Sequence, residues 1–483
     1  MWIFTQIVIF SLLRGLLGVP APSEVSIIVI GSGPSGIAAS TKLLKNNFTN
    51  ITILEAEHRI GGRINSVRFG NAYVDLGAEF CHGQEGNIVY SMEQSYNILQ
   101  HSTEDFQILR SNGEKVDKKT RKKLIDFAES LAASNETTEG CEYVKSVGEC
   151  LRIKAKEIPQ TSQDPKEVEI LTEAIEFVDA YLCSYDSSFD LNDLKSTTEY
   201  KLCGGDIYMN WNGHGYKTIL EIMMEKYPNN KGLPIDDKIF MGKEVDNITN
   251  WDEDKITVTT TDGNKYLADH VIFTPSLGVL KADHERLFSP ALSEDKVEAI
   301  KQRGFGAILK VILHFPDKWW DSHFYMFLFT KEDKDVLKKK NMEWLLNING
   351  FSQAESNPNV LIAWFAGKYV PRIENLTDEE VLTAHKFVIH KFLSPYYNVT
   401  MPDKLLKSEW YSNPHFRGTY SYESAKSTAK NLQAKLAAPL NSKTGKPNVM
   451  FAGEATHPHY FSTVHGAIES GYREAERLIQ LYK

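Results

Sequence analysis

The sequence is short of cysteine, short of positive charge, without an internal repeat, and without a long unbroken apolar run. The missing repeat excludes solenoid and propeller architectures. Lys and Arg number 54 against 63 Asp and Glu, a formal net charge of −9. That balance argues against nucleic acid or an anionic membrane surface as partner, and it suits a cationic small molecule. The most apolar stretch, Trp2 to Leu17, is interrupted by Thr5, Gln6, Ser11 and Arg14. It is too short and too broken to read as a membrane span. What remains is ordinary for a soluble globular chain: 483 residues, 42% hydrophobic and 24% charged, long enough for two or three cores.

Small residues follow the apolar stretch at Gly18 and Ala21. Residues 1–21 therefore read as a secretory signal peptide cut near one of them, the alternative being an uncleaved anchor. Asn-x-Ser/Thr sequons occur at Asn47, Asn50, Asn135, Asn247, Asn375 and Asn398, which points the same way. Four of the five cysteines, Cys141, Cys150, Cys183 and Cys203, fall in one stretch and are expected to form two disulfides in an oxidising compartment; Cys81 is left over. The C-terminal Leu481-Tyr482-Lys483 is neither a peroxisomal nor an ER-retention address. The expected destination is extracellular, as a glycoprotein with no stable membrane span after cleavage. The alternative is N-terminal membrane anchorage.

Val25 to Ile30 reads as a buried parallel strand, Ile37 to Leu44 as a helix and Ile51 to Leu54 as a second strand, together a βαβ unit. Residues 84–204 are rich in charge and helix formers and read as a helical insertion. Ile256 to Thr260 and Ala268 to Phe273 read as strands about an Asp262-Gly263 turn. Leu309 to Phe315, Phe324 to Phe329, Met342 to Ile348 and Val360 to Ala366 read as strands of a second sheet. Asp378 to Leu393 reads as helix, Val449 to Ala452 as strand, and Gly466 to Leu481 as the closing helix.

The connection between the first strand and first helix is Gly31-Ser32-Gly33-Pro34-Ser35-Gly36. Gly31 allows the tight turn, Gly33 lets the backbone approach a pyrophosphate, and Gly36 lets helix pack on strand. The helix N-terminus, with Ser35 in its first turn, offers amide hydrogens and a positive dipole end to phosphates. Glu55 closes the second strand, placed to accept ribose hydroxyls. These residues specify a dinucleotide and leave NAD and FAD both open.

The next segment is Glu55-Ala56-Glu57-His58-Arg59-Ile60-Gly61-Gly62-Arg63. It resembles the E-A-x-x-R-x-G-G-R signature of the flavin amine oxidases. The resemblance runs on through Asp75-Leu76-Gly77-Ala78-Glu79-Phe80-Cys81-His82-Gly83, Gly306 to Phe315, Leu361 to Gly367, Trp410 to Tyr422, and Phe451 to Ala467. It is nearest to animal polyamine oxidases of the spermine and acetylpolyamine type. The resemblance implies non-covalent FAD, since Thr419 stands where covalent relatives carry a cysteine. It places Arg63 and Glu454 along the cofactor, Gly77, Ala78 and Glu79 past the flavin ring, Val245 at the adenine, and Thr463 and Val464 at the flavin's pyrimidine end. It makes Lys310 the lysine that holds a water near flavin N5. His82 would position or deprotonate the substrate amine, and Tyr420 would be an aromatic wall. Glu79 and Glu85 would anchor distal ammonium groups, with Thr463 in the substrate wall. No metal is expected.

The implied fold is α/β: a discontinuous Rossmann-like FAD-binding domain (25–83, 205–300 and 430–483) and a mixed α+β substrate-binding domain (301–429) with the helical insertion at 84–204. The implied activity is oxidation of a secondary amine of spermine, spermidine or an N-acetylated polyamine by O2, giving an aldehyde, a shorter amine and hydrogen peroxide. The competing readings are a monoamine or amino-acid oxidase, and an inactive secreted flavoprotein that binds polyamines.

Overall fold

The computed structural model describes residues 20–103, 105–132, 138–229 and 231–483. The expected signal segment, apart from its last two residues, and the Asn135 sequon lie outside the described residues. None of the helices among the described residues is long and apolar enough to cross a membrane.

Ile27–Ile30 has every side chain buried, because a central parallel strand is covered on both faces. It pairs in parallel with Ile51–Leu54 on one side and His270–Phe273 on the other. Pro447–Phe451 extends the sheet beyond His270–Phe273, also in parallel. The full order is Leu440–Asn441, Pro447–Phe451, His270–Phe273, Ile27–Ile30, Ile51–Leu54, Ile239–Phe240. Strands from both ends of the chain thus share one sheet. The helix Pro34–Lys45 and the closing helix Val464–Leu481 lie against each other, with Ser35 and Ser470 hydroxyls 3.3 Å apart. The expected helix starts three residues early, at Pro34, whose missing N–H costs nothing at a first helical position.

A four-stranded sheet of Lys265–Ala268, Ile256–Thr260, Val245–Thr249 and Phe288–Ser289 flanks this core. The stretch read as one strand from Ala268 to Phe273 is divided between the two sheets. The break falls at Asp269, whose carboxylate accepts the Ser26 amide and hydroxyl.

The second large sheet has seven strands, in the order Lys404–Lys407, Leu309–His314, Val360–Phe365, Ile348–Gln353, Phe324–Leu328, Phe106–Arg110, Glu114–Lys115. Two expectations are corrected here. Met342 to Ile348 is not a strand: Glu343–Asn347 is a turn of 3₁₀ helix that buries Trp344 and Leu345, and the strand begins at Ile348. A short apolar run fits either state, and its periodicity cannot separate them. The 84–204 stretch is helical over Lys118–Leu131, Val147–Ala155, Pro165–Glu173 and Ile175–Asp186. It also gives the strand Phe106–Arg110, which pairs in parallel with Phe324–Leu328.

Of two expected disulfides, one forms, Cys141–Cys150. Cys183 and Cys203 are separate buried thiols. Cys183 sits on a helix with its sulfur 3.9 Å from Asp179 Oδ1, and Cys203 lies 3.9 Å from His465 Nε2, so neither faces the other. Burial pushes the Cys81 thiol up to about 12, so it stays protonated. The bridge closes a loop with a sequence separation of 9. Chain entropy makes a loop of that length worth roughly 2–3 kcal/mol. Cys150→Ser is expected to lower the apparent Tm, and a reductant should do the same to the native protein. An unchanged Tm in reductant would contradict the bridge.

Candidate active site

The glycine loop opens onto a cavity of about 1450 Å³. That exceeds the range typical of a single drug-sized ligand and leaves room for a cofactor and a second molecule. Gly31 has φ +96°, and a Cβ on Gly36 would overlap the Gly31 carbonyl oxygen, so strand and helix meet there without space for a side chain. Gly33 differs. Its backbone is in an ordinary extended conformation, and a Cβ added to it would meet no protein atom closer than 3.8 Å. The room beside Gly33 is cavity. The Ser35 and Gly36 amides have no protein acceptor among the described residues, and Gly33 brings no side-chain cap. This is a helix end prepared for an anion.

Glu55 is buried behind the loop. Its carboxylate accepts the Ser32 amide at 2.7 Å, the Ser32 hydroxyl at 2.5 Å and the Glu57 amide at 2.9 Å. A carboxylate has about four acceptor sites, so capacity is left for a ribose hydroxyl. Val245 lines the same cavity from its strand.

Arg63 and Glu454 form an ion pair of 2.9 Å across 391 residues of sequence. Arg63 Nη1 also donates to Thr419 O at 2.6 Å. The second Glu454 oxygen accepts the Ser421 hydroxyl and the Ser462 amide, each at 2.8 Å. Thr463 caps the closing helix: its hydroxyl accepts the Gly466 amide at 3.0 Å and donates to Tyr460 O at 2.7 Å. The Val464 and His465 amides have no protein acceptor among the described residues, so a second helix N-terminus faces the cavity that Thr463, Val464 and His465 line. Negative charge on a bound ring is favoured there.

Lys310 projects from a strand whose other face is core, and only 3% of its side chain is exposed. Its ammonium donates to Asp75 O and Gly77 O at 2.8 Å each and to Glu79 Oε2 at 2.5 Å, and it sits 4.4 Å from the centre of the Trp364 ring. Gly77, Ala78 and Glu79 line the cavity, and Glu79 has Lys310 as its partner. Glu85 does not line the cavity; its backbone pairs with Gly204.

His82 Nδ1 donates to Ile207 O at 2.6 Å, which leaves Nε2 as the basic nitrogen. Burial pushes its pKa down, so the ring is neutral near pH 7. The Tyr420 hydroxyl donates to Ser184 O at 2.7 Å, and burial pushes the phenol well up. That bond fixes the ring as part of the cavity wall.

Three comparisons bear on this arrangement. The family model for flavin-containing amine oxidoreductases matches residues 34–479. The chain belongs to the flavin-containing amine oxidoreductase family. It is 30% identical to a probable polyamine oxidase of Arabidopsis thaliana, over 95% of this chain and 98% of that protein. It is likewise 30% identical to the human peroxisomal N(1)-acetyl-spermine/spermidine oxidase, over 96% of each chain. Among solved structures, a cofactor-binding double mutant of putrescine oxidase superposes with a TM-score of 0.67 over 94% of this chain and 99% of that one, at 15% identity, and shares the fold. The cofactor of this flavin-containing amine oxidoreductase is FAD. The open helix end at Gly33, the spare acceptor capacity of Glu55 and the second helix end at Val464 fit it.

One cavity residue escaped the sequence reading. Asp186 ends the helix Ile175–Asp186 and lines the cavity near Tyr420 and Tyr200. No donor among the described residues meets its carboxylate. Burial pushes its pKa up to about 7, against the pull of the wholly buried Arg303. The signal was there: a carboxylate at a helix C-terminus opposes the dipole and asks for another reason to be present.

Because Gly33 faces only cavity, Gly33→Ala is expected to leave the apoprotein's Tm unchanged while FAD retention through gel filtration falls severalfold. Gly36→Ala should instead destabilise the apoprotein. Full FAD retention in Gly33→Ala would remove the loop from the cofactor site.

Proposed function

We propose that the protein is a polyamine oxidase, acting on a secondary amine of spermine, spermidine or an N-acetylated polyamine. The observation that carries this reading is Asp186: a carboxylate without a donor, in a cavity wall that also holds Tyr181, Tyr185, Tyr200, Tyr420 and Trp364. An unpaired enclosed carboxylate is costly unless a cation comes to it. Aromatic faces favour the same guest. A substrate with one amine at the reacting centre and another further along would satisfy both. The similarity to an Arabidopsis probable polyamine oxidase and to a human acetylpolyamine oxidase supports the same substrate class.

FAD, held by the Gly31–Gly36 loop, Glu55 and the Val464 helix end, would supply a hydride acceptor for the carbon beside the amine nitrogen and a route for the electron pair to O2, with hydrogen peroxide as product. The chain's residues prepare the substrate. His82 Nε2 accepts the proton of the reacting ammonium, since only the neutral amine has a lone pair to support loss of hydride. The Ile207 carbonyl holds the imidazole in the tautomer that leaves Nε2 free. Tyr420 and Trp364 confine the chain of methylenes, and Asp186 holds a second ammonium. Water hydrolyses the released imine to an aldehyde and a shorter amine.

We infer further that the protein travels the secretory route. Asn47, Asn50, Asn375 and Asn398 are exposed, as glycan acceptors must be, and a Cys141–Cys150 bridge persists only in an oxidising compartment.

The deciding experiment is peroxide release from the FAD-loaded protein on spermine, spermidine, N-acetylspermine, a monoamine and an L-amino acid. Polyamines should react and the last two should not; turnover of only a monoamine or an amino acid would sink the assignment. The substrate affinity also has a predicted pH limb. Asp186 is ionised above about pH 7 and protonated below, so KM for a polyamine should rise as pH falls through 7. Asp186→Asn should raise KM at pH 8 by one to two orders of magnitude, the loss of about 1.5–3 kcal/mol from a charged hydrogen bond, and abolish that limb.

A further inference from the structure

The Lys310 ammonium has three hydrogens and three acceptors, Asp75 O, Gly77 O and Glu79 Oε2. None is left for the water that the family resemblance assigns to this lysine. Two of these acceptors are backbone carbonyls and cannot leave without moving the main chain. The third is a side chain, partly exposed to the cavity. Each of the three positions is an oxygen that accepts a hydrogen of the ammonium. Lys310 and Glu79 are therefore a cation and its counter-charge, held together in the wall of the cavity that the cofactor fits.

We propose that Glu79 is a positioning residue that pins Lys310 as a charge-compensated ammonium and so keeps the reduction potential of the bound flavin below that of an uncompensated lysine. A lone cation beside the ring stabilises the electron-rich reduced flavin. A carboxylate 2.5 Å from that cation cancels most of its field at a distance. Glu79 is thus occupied inside the wall by Lys310. This rests on the chain being a flavin-containing amine oxidoreductase and uses none of the polyamine assignment.

The test is the midpoint potential of the FAD-loaded protein, read by dye-equilibrated chemical reduction with no amine present. Glu79→Gln, which keeps the shape and an acceptor oxygen, should shift the potential up. Lys310→Met, which leaves the carboxylate alone, should shift it down or leave it in place. Glu79→Asp should restore a value near wild type. Glu79→Thr is a second neutral variant, expected to shift in the same direction as Glu79→Gln. An unchanged or lowered potential in both neutral variants, or a raised one in Lys310→Met, would overturn the proposal. Absence of polyamine turnover would leave these shifts readable, so the two readings fail separately.

Discussion

The ion pair between Arg63 and Glu454 is the point on which the rest of the site depends. It joins the segment after the second strand to the segment before the closing helix, and Thr419 and Ser421 bring the second sheet's connections to the same place. Burying a carboxylate is expensive unless every lone pair is used. Here the arginine, a serine hydroxyl and a backbone amide use them. Removing one partner would leave the other uncompensated, at a cost of about 3–5 kcal/mol in comparable buried pairs. The pair also ties the two helix ends together: the Glu454 segment runs on into the closing helix, and the turn before Arg63 donates the Gly61 amide to Ser32 O of the glycine loop at 2.9 Å. One cavity with two positive helix ends is the result.

Charge is then distributed unequally around that cavity. On the cofactor's side Glu454 is held by Arg63, Ser421 and Ser462, and Glu55 is held by Ser32 and Glu57 with one acceptor position to spare. Glu79 is neutralised by Lys310. Asp186 alone of these carboxylates has no donor. An acidic chain could attract a cation anywhere on its surface; in the cavity wall Asp186 offers a carboxylate without a donor, at the end of a helix that opposes it. His82, neutral and held by its own backbone bond, lies in the same wall without adding a repelling charge.

Local chemistry was legible in the sequence, and long-range chemistry was not. Gly31 to Gly36 and Glu55 could be read because one βαβ unit contains the whole device within a few tens of residues. The Lys310 strand could be read from its apolar run, but its counter-charge lies 231 residues away and no spacing announces it. Asp186 depends on how a helical stretch packs over a sheet, and only its place at the wrong helix end hinted at a role. Pairing among the cysteines needed distances that a list of positions does not contain. Met342 to Ile348 was misread because a few apolar residues satisfy a strand and a 3₁₀ turn equally well.

Arg63 and Glu454 close the cofactor site as one unit, joined across 391 residues of sequence. A double-mutant cycle on FAD dissociation measures it directly, using Arg63→Met, Glu454→Gln and the two together. Each single variant is expected to release FAD faster than wild type, and the double variant to be no worse than the worse single one. Effects that multiply in the double variant would show two independent contacts and contradict the claim.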